Sequence, residues 1–344
     1  MAGYSRKYIT KIGNVLVSDT ATSEEREHAL QTLNDWRVLH LVPLNTFQVT
    51  LREYVKKLSG KHGIVAQRLK RVPTILDKIK NRQQQMQLGR MQDVGGLRAI
   101  VTDIRQLNDL KKTYTRLRTK HSLERVHDYI VEPKESGYRG VHIIYKYHSP
   151  EKLQYDGLYV EIQLRTRLQH LWATAVETVG FFFQEALKSS QGNKNWLDFF
   201  KLVSAMFALE EKEKPHSEFA NSTKEELAQQ LAQFVQKHKI LGQLKTIQVT
   251  EFATKNPKLA KAAYWVIETI LNGHSTIKIL PFLASQKDAA DLTYRQLEQS
   301  PECKSGRKQV VLVSVDSVSK IEKAYPNFFG DIKDFMAELQ RLIK

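Results

Sequence analysis

Leu158-Tyr159-Val160-Glu161-Ile162-Gln163-Leu164-Arg165, with Val141-His142-Ile143-Ile144-Tyr145-Lys146-Tyr147 just before it, decides the fold. Both stretches alternate with period two, the signature of strands that bury one face. In the first, Val160, Ile162 and Leu164 share a face and Tyr159, Glu161, Gln163 and Arg165 share the other. In the second, Val141, Ile143 and Tyr145 oppose His142, Ile144 and Lys146. A sheet that packs one face on helices and turns the other to a cleft can hold carboxylates and cations rigidly over a substrate. The expected class is therefore α/β.

The flanks extend this pattern. After Gly95-Gly96, Leu97, Ala99 and Val101 alternate with Arg98 and Ile100 as a short strand, and 109–120 reads as a basic helix. From Leu168 a long helix turns Leu171, Trp172, Ala175 and Val179 inward. Towards the N-terminus, Thr22 and Glu25 have capping-box spacing, followed by an apolar stripe of Leu30, Leu33, Trp36, Val38 and Leu41 that stops near Pro43. A second helix is expected over 46–58, and 64–82 reads as a loop-rich or helical basic segment split by Pro73.

Residues 210–224 read as a linker. Beyond them the pattern predicts helix 225–239, strand 244–251, helix 258–271, strand 276–282, helix 287–299, strand 309–315 and helix 332–343. Three units follow: an N-terminal helical region over 1–50, a main domain over 51–210, and a smaller C-terminal α/β module over 224–344.

Of the 344 residues, 41% are apolar and 26% charged, a globular composition. No stretch has the length and apolarity of a membrane span, and the first residues lack the apolar run of a signal peptide, so a cytoplasmic location is expected. A single cysteine, Cys303, excludes an internal disulfide and a cysteine-based metal cluster. The net charge of +16 points to a polyanionic partner. Ten Lys/Arg lie between Arg52 and Arg82 and seven between Arg105 and Arg125, which favours a phosphate-rich ligand over the plainer reading of a solvated helix face.

Four segments carry the candidate chemistry. Arg68, Lys70 and Arg71, with Thr74 and Lys78, offer the cations and hydroxyl a triphosphate needs where no P-loop exists. Asp93 precedes the Gly95-Gly96 turn where a strand-mouth carboxylate can hold Mg²⁺, or simply cap the turn. Glu161, between strand neighbours and beside Gln163 and Arg165, is costly to bury unless bound to a metal or ion-paired with Arg165. In Glu135-Ser-Gly137-Tyr138-Arg139-Gly140-Val-His142, two glycines flank an aromatic that can stack on a base and a cation that can meet phosphate; an ordinary hairpin turn is the alternative.

Together, Arg68-x-Lys70-x-x-x-Thr74-x-x-x-Lys78, Asp93-Val-Gly-Gly-Leu-Arg98, Gly137-Tyr138-Arg-Gly-Val-His142 and Val160-Glu161-Ile-Gln163-Leu-Arg165-Thr166 resemble, in order and spacing, the synthetase domain of RelA/SpoT alarmone synthetases. The resemblance covers roughly 51–183. It implies a nucleotidyltransferase-like mixed β-sheet flanked by helices. It also implies a pyrophosphokinase that moves the β,γ-diphosphate of ATP to the 3′-hydroxyl of GDP or GTP, with Mg²⁺ as cofactor. On that resemblance Arg68 and Arg98 sandwich the adenine, and Lys70, Thr74 and Lys78 grip the ATP phosphates. Asp93 and Glu161 bind the metal or, for Glu161, deprotonate the attacking hydroxyl, with Gln163 in support. Tyr138, Arg139, His142 and Arg165 serve the acceptor. Thr74 and Gly140 stand where the family usually has serine, and no role is assigned to Glu177. Just over fifty residues precede the segment, too few for the family's hydrolase domain.

The acceptor stays open at this stage. Within the fold, the alternative is a toxic small synthetase that modifies tRNA 3′ ends or adenine nucleotides, with the C-terminal module as antitoxin or sensor. A catalytically inactive RNA- or nucleotide-binding protein is the reading from another class. A homo-oligomer, and a protein or phage trigger acting on the C-terminal module, are the further partners considered.

Overall fold

The computed structural model describes residues 4–81, 86–183, 193–245, 262–272, 274–305, 307–314 and 332–343. Three helices come first: α1 (Arg6–Val17), α2 (Ser23–Leu39) and α3 (Leu41–Ser59). The Thr22/Glu25 capping box forms at the start of α2 as the sequence predicts. Pro43 sits in the first turn of α3, where its missing N–H costs nothing, so it does not delay that helix to residue 46.

Then follow β1 (Ile64–Leu69), α4 (Val72–Asn81), β2 (Gly95–Val101), α5 (Ile104–Arg116), β3 (Ser122–Asp128), β4 (Val141–Lys146), β5 (Tyr159–Thr166), α6 (Arg167–Phe182) and α7 (Lys194–Glu210). The rest comprises α8 (Lys224–Lys237), α9 (Ile240–Lys245), β6 (Tyr264–Asn272), β7 (His274–Phe282), α10 (Lys287–Glu298), α11 (Pro301–Lys304), β8 (Lys308–Ser314) and α12 (Lys333–Leu342).

The strands make one mixed eight-stranded sheet in the order β3-β4-β5-β2-β1-β8-β6-β7. Only β2 and β5 run parallel; the other pairs are antiparallel. Val141, Ile143, Tyr145, Val160, Ile162 and Leu164 are buried with Leu97, Ala99 and Val101 against Leu44, Phe47, Leu51, Leu107 and Leu110 of α3 and α5. The faces read from the alternation are thus the faces that form.

Two expected elements change type. Residues 64–69 are strand, not loop or helix, and Pro73 lies in the first turn of α4 instead of splitting a helix. The run Ile64-Val65-Ala66 has no polar alternation because β1 is interior to the sheet, paired on both edges and buried on both faces. Where 258–271 reads as helix, Tyr264–Asn272 is strand, for the same reason: β6 lies between β7 and β8, and Trp265, Val266 and Ile267 are all fully buried. The strand expected over 244–251 falls mostly outside the described residues, and its first two residues end α9.

The C-terminal strands join the sheet of the preceding domain through β8 and β1, pairing Gln67 with Ser314 and Arg68 with Val313. Helix α12 packs Phe335, Leu339 and Leu342 into a cluster with Trp172 and Val179 of α6 and Phe199, Phe200 and Phe207 of α7. Among the described residues, no helix is long and apolar enough to cross a membrane.

Candidate active site

The sheet face opposite α3 and α5 carries the polar residues. Paired positions in a sheet put their side chains on the same side, so the register arranges two rows. One row runs His142, Gln163, Arg98; the other runs Ile144, Glu161, Gly96, Arg68. Gly96 opens a gap between Glu161 and Arg68: a Cβ there would meet no atom closer than the Arg68 carbonyl at 3.9 Å. The gap is the floor of a small pocket of about 40 Å³ lined by Arg68, Lys70, Asp93, Arg98, Glu161 and Gln163.

Asp93 enters from the turn before β2, which is tied to the end of β1 by the Lys70 amide donating to the Val94 carbonyl at 2.8 Å. Its Oδ2 accepts from Lys70 Nζ at 3.0 Å and Lys78 Nζ at 2.9 Å. Burial and the nearby Glu161 raise the Asp93 pKa, but Lys70 and Lys78 outweigh them and leave it below the usual carboxylate range. Burial, with Lys78 and Arg68, lowers the Lys70 pKa against the opposing pull of Asp93. Thr74 lies one turn before Lys78 on α4, hence on the same face, although it lines neither pocket described here.

Each Glu161 carboxylate oxygen takes one hydrogen bond. Its Oε1 is 2.8 Å from His142 Nδ1, and its Oε2 accepts from Gln163 Nε2 at 2.7 Å. Burial acts to raise its pKa, yet His142 and Gln163 hold it far below the ordinary value. The hydrogen bonds continue: His142 Nε2 lies 2.6 Å from the Tyr138 hydroxyl, which also accepts from Arg165 Nε and Nη2 at 3.3 and 3.2 Å. Burial opposes ionisation of Tyr138, but Arg165 and His142 override it and bring its pKa down to about 7. Burial disfavours the imidazolium, and Tyr138 and Glu161 override that in turn, raising His142 to about 9.

A second cleft, of about 190 Å³, adjoins the first across Arg68 and Gln163. Its sheet side is Tyr138, His142 and Arg165; its other wall is Trp172, Val176 and Glu177 of α6 with Leu197 and Phe200 of α7, and Lys134 stands at its edge. The glycine loop reaches this place because Gly137 adopts φ +86° against α7, and a Cβ there would press on Ser204 at 3.1 Å. Trp172 is fixed by its Nε1 donating to the Phe200 carbonyl at 2.7 Å.

Eleven of the twelve predicted site residues therefore gather on this face or on α4 beside it; Arg139 does not. Its guanidinium is buried on Glu211, Nη1 to Oε2 at 3.0 Å, and Glu211 also takes Gln169 Nε2 at 2.9 Å and the Thr166 hydroxyl. Side chains of adjacent residues in an extended loop diverge, so Arg139 anchors the loop while Tyr138 faces the cleft. Glu177, Trp172, Leu197 and Phe200 were not legible as site residues. The i, i+3, i+4 spacing of Ala173, Val176 and Glu177 on one helical face carried the only signal.

The donor set suits Mg²⁺. Asp93 Oδ1 is buried and without a hydrogen-bond partner, and Glu161 lines the same pocket, while no group of three or more His, Cys, Asp or Glu among the described residues could cage a metal. Two carboxylates with remaining positions left to phosphate and water is a magnesium pattern.

Residues 67–180 match the family model described as a region found in RelA / SpoT proteins. The segment is also 30% identical over 133 residues to GTP pyrophosphokinase YjbM of Bacillus subtilis (strain 168), a match that spans 38% of this chain and 62% of that protein. Solved structures that resemble the chain include small alarmone synthetase 1 from Bacillus subtilis bound to its product pppGpp, at TM-score 0.43 and 24% identity over 51% of this chain and 90% of that one. Another is a GTP pyrophosphokinase family protein from Streptococcus pneumoniae, at TM-score 0.41 and 21% identity over 50% and 85%.

Proposed function

We propose that the chain is a nucleotide pyrophosphokinase that transfers the β,γ-diphosphate of ATP to the ribose 3′-hydroxyl of GDP or GTP. The observation that carries this reading is the adjacency of two unlike pockets. A small one sets Asp93 and Glu161 among three basic residues, Arg68, Lys70 and Arg98; a larger aromatic one opens from it across Arg68 and Gln163. The match of residues 67–180 to the RelA/SpoT region supports the same reaction class.

In this reading the smaller pocket receives the donor phosphates, and the Tyr138–Trp172 cleft receives the acceptor base. Lys70 and Lys78 now neutralise Asp93; a triphosphate competes for them and frees Asp93 as a ligand. Asp93 Oδ1 and Glu161 would hold Mg²⁺, which supplies charge neutralisation at the phosphates. The acceptor oxygen bonds to the β-phosphorus, the bond from that phosphorus to the α-phosphate oxygen breaks, and AMP leaves. Little covalent work falls to the protein, so positioning and electrostatics provide most of the acceleration.

Glu161 is too acidic to be a strong base alone. The order Glu161, His142, Tyr138 gives the acceptor proton a hydrogen-bonded path towards the Tyr138 phenolate, which a pKa of about 7 makes accessible near neutrality and which becomes the phenol on taking the proton. Incubation with γ-labelled ATP and, separately, GDP, GTP, ATP and deacylated tRNA tests the proposal. Label is expected on a guanine nucleotide; transfer only to tRNA or ATP would replace the acceptor, and transfer to none would leave a binding protein.

A further inference from the structure

Arg37 from α2 is 1% exposed and Glu298 from α10 is 8% exposed, a buried ion pair that lines neither pocket of the site. Buried pairs of this kind seldom add stability, because desolvating two charges offsets their attraction. Their contacts show where they act. Arg37 Nε donates to the Lys70 carbonyl at 2.9 Å, and Glu298 Oε1 accepts the Val72 amide at 2.8 Å. These two backbone groups bracket Arg71, at the junction where β1 ends and α4 begins.

The remaining atoms of the pair are committed to holding that arrangement. Arg37 Nη1 donates to Asn34 Oδ1 at 2.7 Å and to Glu298 Oε2 at 3.1 Å, and Nη2 donates to the Tyr294 hydroxyl at 2.7 Å. That hydroxyl donates to Glu298 Oε1 at 2.6 Å. Outside this layer, Arg295 bridges Asp35 and Asp291 at 2.8 and 2.7 Å, again joining α10 to α2. The Val72 amide is one of the donors that a helix N-terminus leaves without an intrahelical acceptor, so the Glu298 carboxylate that takes it also complements the helix dipole.

We propose that Arg37 and Glu298 are positioning residues: by gripping the backbone between β1 and α4, they set the direction in which Lys70, Thr74 and Lys78 meet a nucleotide triphosphate. This rests on the reading of the Asp93 pocket as the donor site. It gives the C-terminal segment a part in catalysis, since α10 supplies Glu298 across more than two hundred residues of sequence to cap the helix that carries Lys78.

The test uses the full chain with Glu298→Ala, Glu298→Gln and the double variant Arg37→Met/Glu298→Met, which keeps apolar volume if the alanine variant fails to fold. Affinity for α,β-methylene ATP with Mg²⁺, acceptor KM, and amide exchange across 70–81 are measured. Losing a charged hydrogen bond to the backbone should weaken the analogue about tenfold in the alanine and double variants and speed exchange in α4, with acceptor KM within about twofold. Glutamine, which retains a carbonyl facing the Val72 amide, should recover most of the loss.

Analogue affinity and exchange unchanged in the alanine and double variants would overturn the proposal, as would equal weakening of donor and acceptor. If the parent binds the analogue but transfers label to no acceptor, only the reaction is refuted and the grip is judged on the same binding data. A parent chain that does not bind the analogue refutes both.

Discussion

The two halves of the site are built from different forces. In the Asp93 pocket nearly every lining group is charged or amide, and the space, about 40 Å³, suits phosphate oxygens and a cation but not a base. In the neighbouring cleft the volume is nearly five times larger, at about 190 Å³, and one wall is Trp172, Val176, Leu197 and Phe200. The first half is an electrostatic device whose parts lose function with a single charge; the second is a stacking surface in which loss of one ring weakens binding by degrees. Only Arg68 and Gln163 border both.

The sharpest way to break this contrast is Glu161→Gln, which keeps shape and removes charge. Label transfer in single turnover should fall about a thousandfold with analogue affinity for the donor pocket within about threefold. Retained turnover would show that the charged half is not where the chemistry occurs. Asp93→Asn should cost about a hundredfold in turnover and raise the Mg²⁺ concentration for half-maximal rate, read from a metal titration, since it removes the carboxylate whose Oδ1 is unpartnered.

A smaller effect is expected across the border. Tyr138→Ala should raise the acceptor KM about tenfold and leave that for ATP within about twofold; equal loss for both substrates would dissolve the distinction between the halves. The finest test follows protons. With Tyr138→Phe, the His142 pKa, followed by NMR titration of its ring protons, should fall from about 9 towards its ordinary value, because the charge on Tyr138 is the largest single influence raising it, with Glu161 next. The sign for stability follows: the parent's raised His142 pKa contributes fully below the ordinary histidine pKa and is lost as pH rises through about 9, whereas the variant should lose it nearer neutrality. Tyr138 itself works the other way, its lowered pKa stabilising the fold above the ordinary phenol value and losing that contribution as pH falls through about 7.

Legibility followed burial. Strands β4 and β5 could be read with their faces because each packs one side on the apolar core and turns mostly polar residues to the cleft, so apolar and polar residues alternate. Strands β1 and β6 were misread because both are buried on two faces and have no alternation to detect. Asp93, Glu161, His142 and Tyr138 were recognised together by their order along the chain. The wall opposite them was not, since Leu197 and Phe200 look like any apolar residues of a core helix. Arg139 was legible as a cation in a glycine loop, but not its direction, which depends on Glu211 at the end of α7.

The amino-acid sequence alone determined the α/β class, the Thr22/Glu25 helix cap, the alternating strands and the polar residues that line the cleft, because each rests on spacing within a few residues. The tertiary structure decided the rest: that the C-terminal strands extend the same sheet, that α6 and α7 close the second cleft, and that Glu298 reaches the start of α4. Those outcomes depend on contacts between residues far apart in the chain, whose pairing is chosen by packing and hydrogen-bond satisfaction across the whole fold and leaves no local pattern to read.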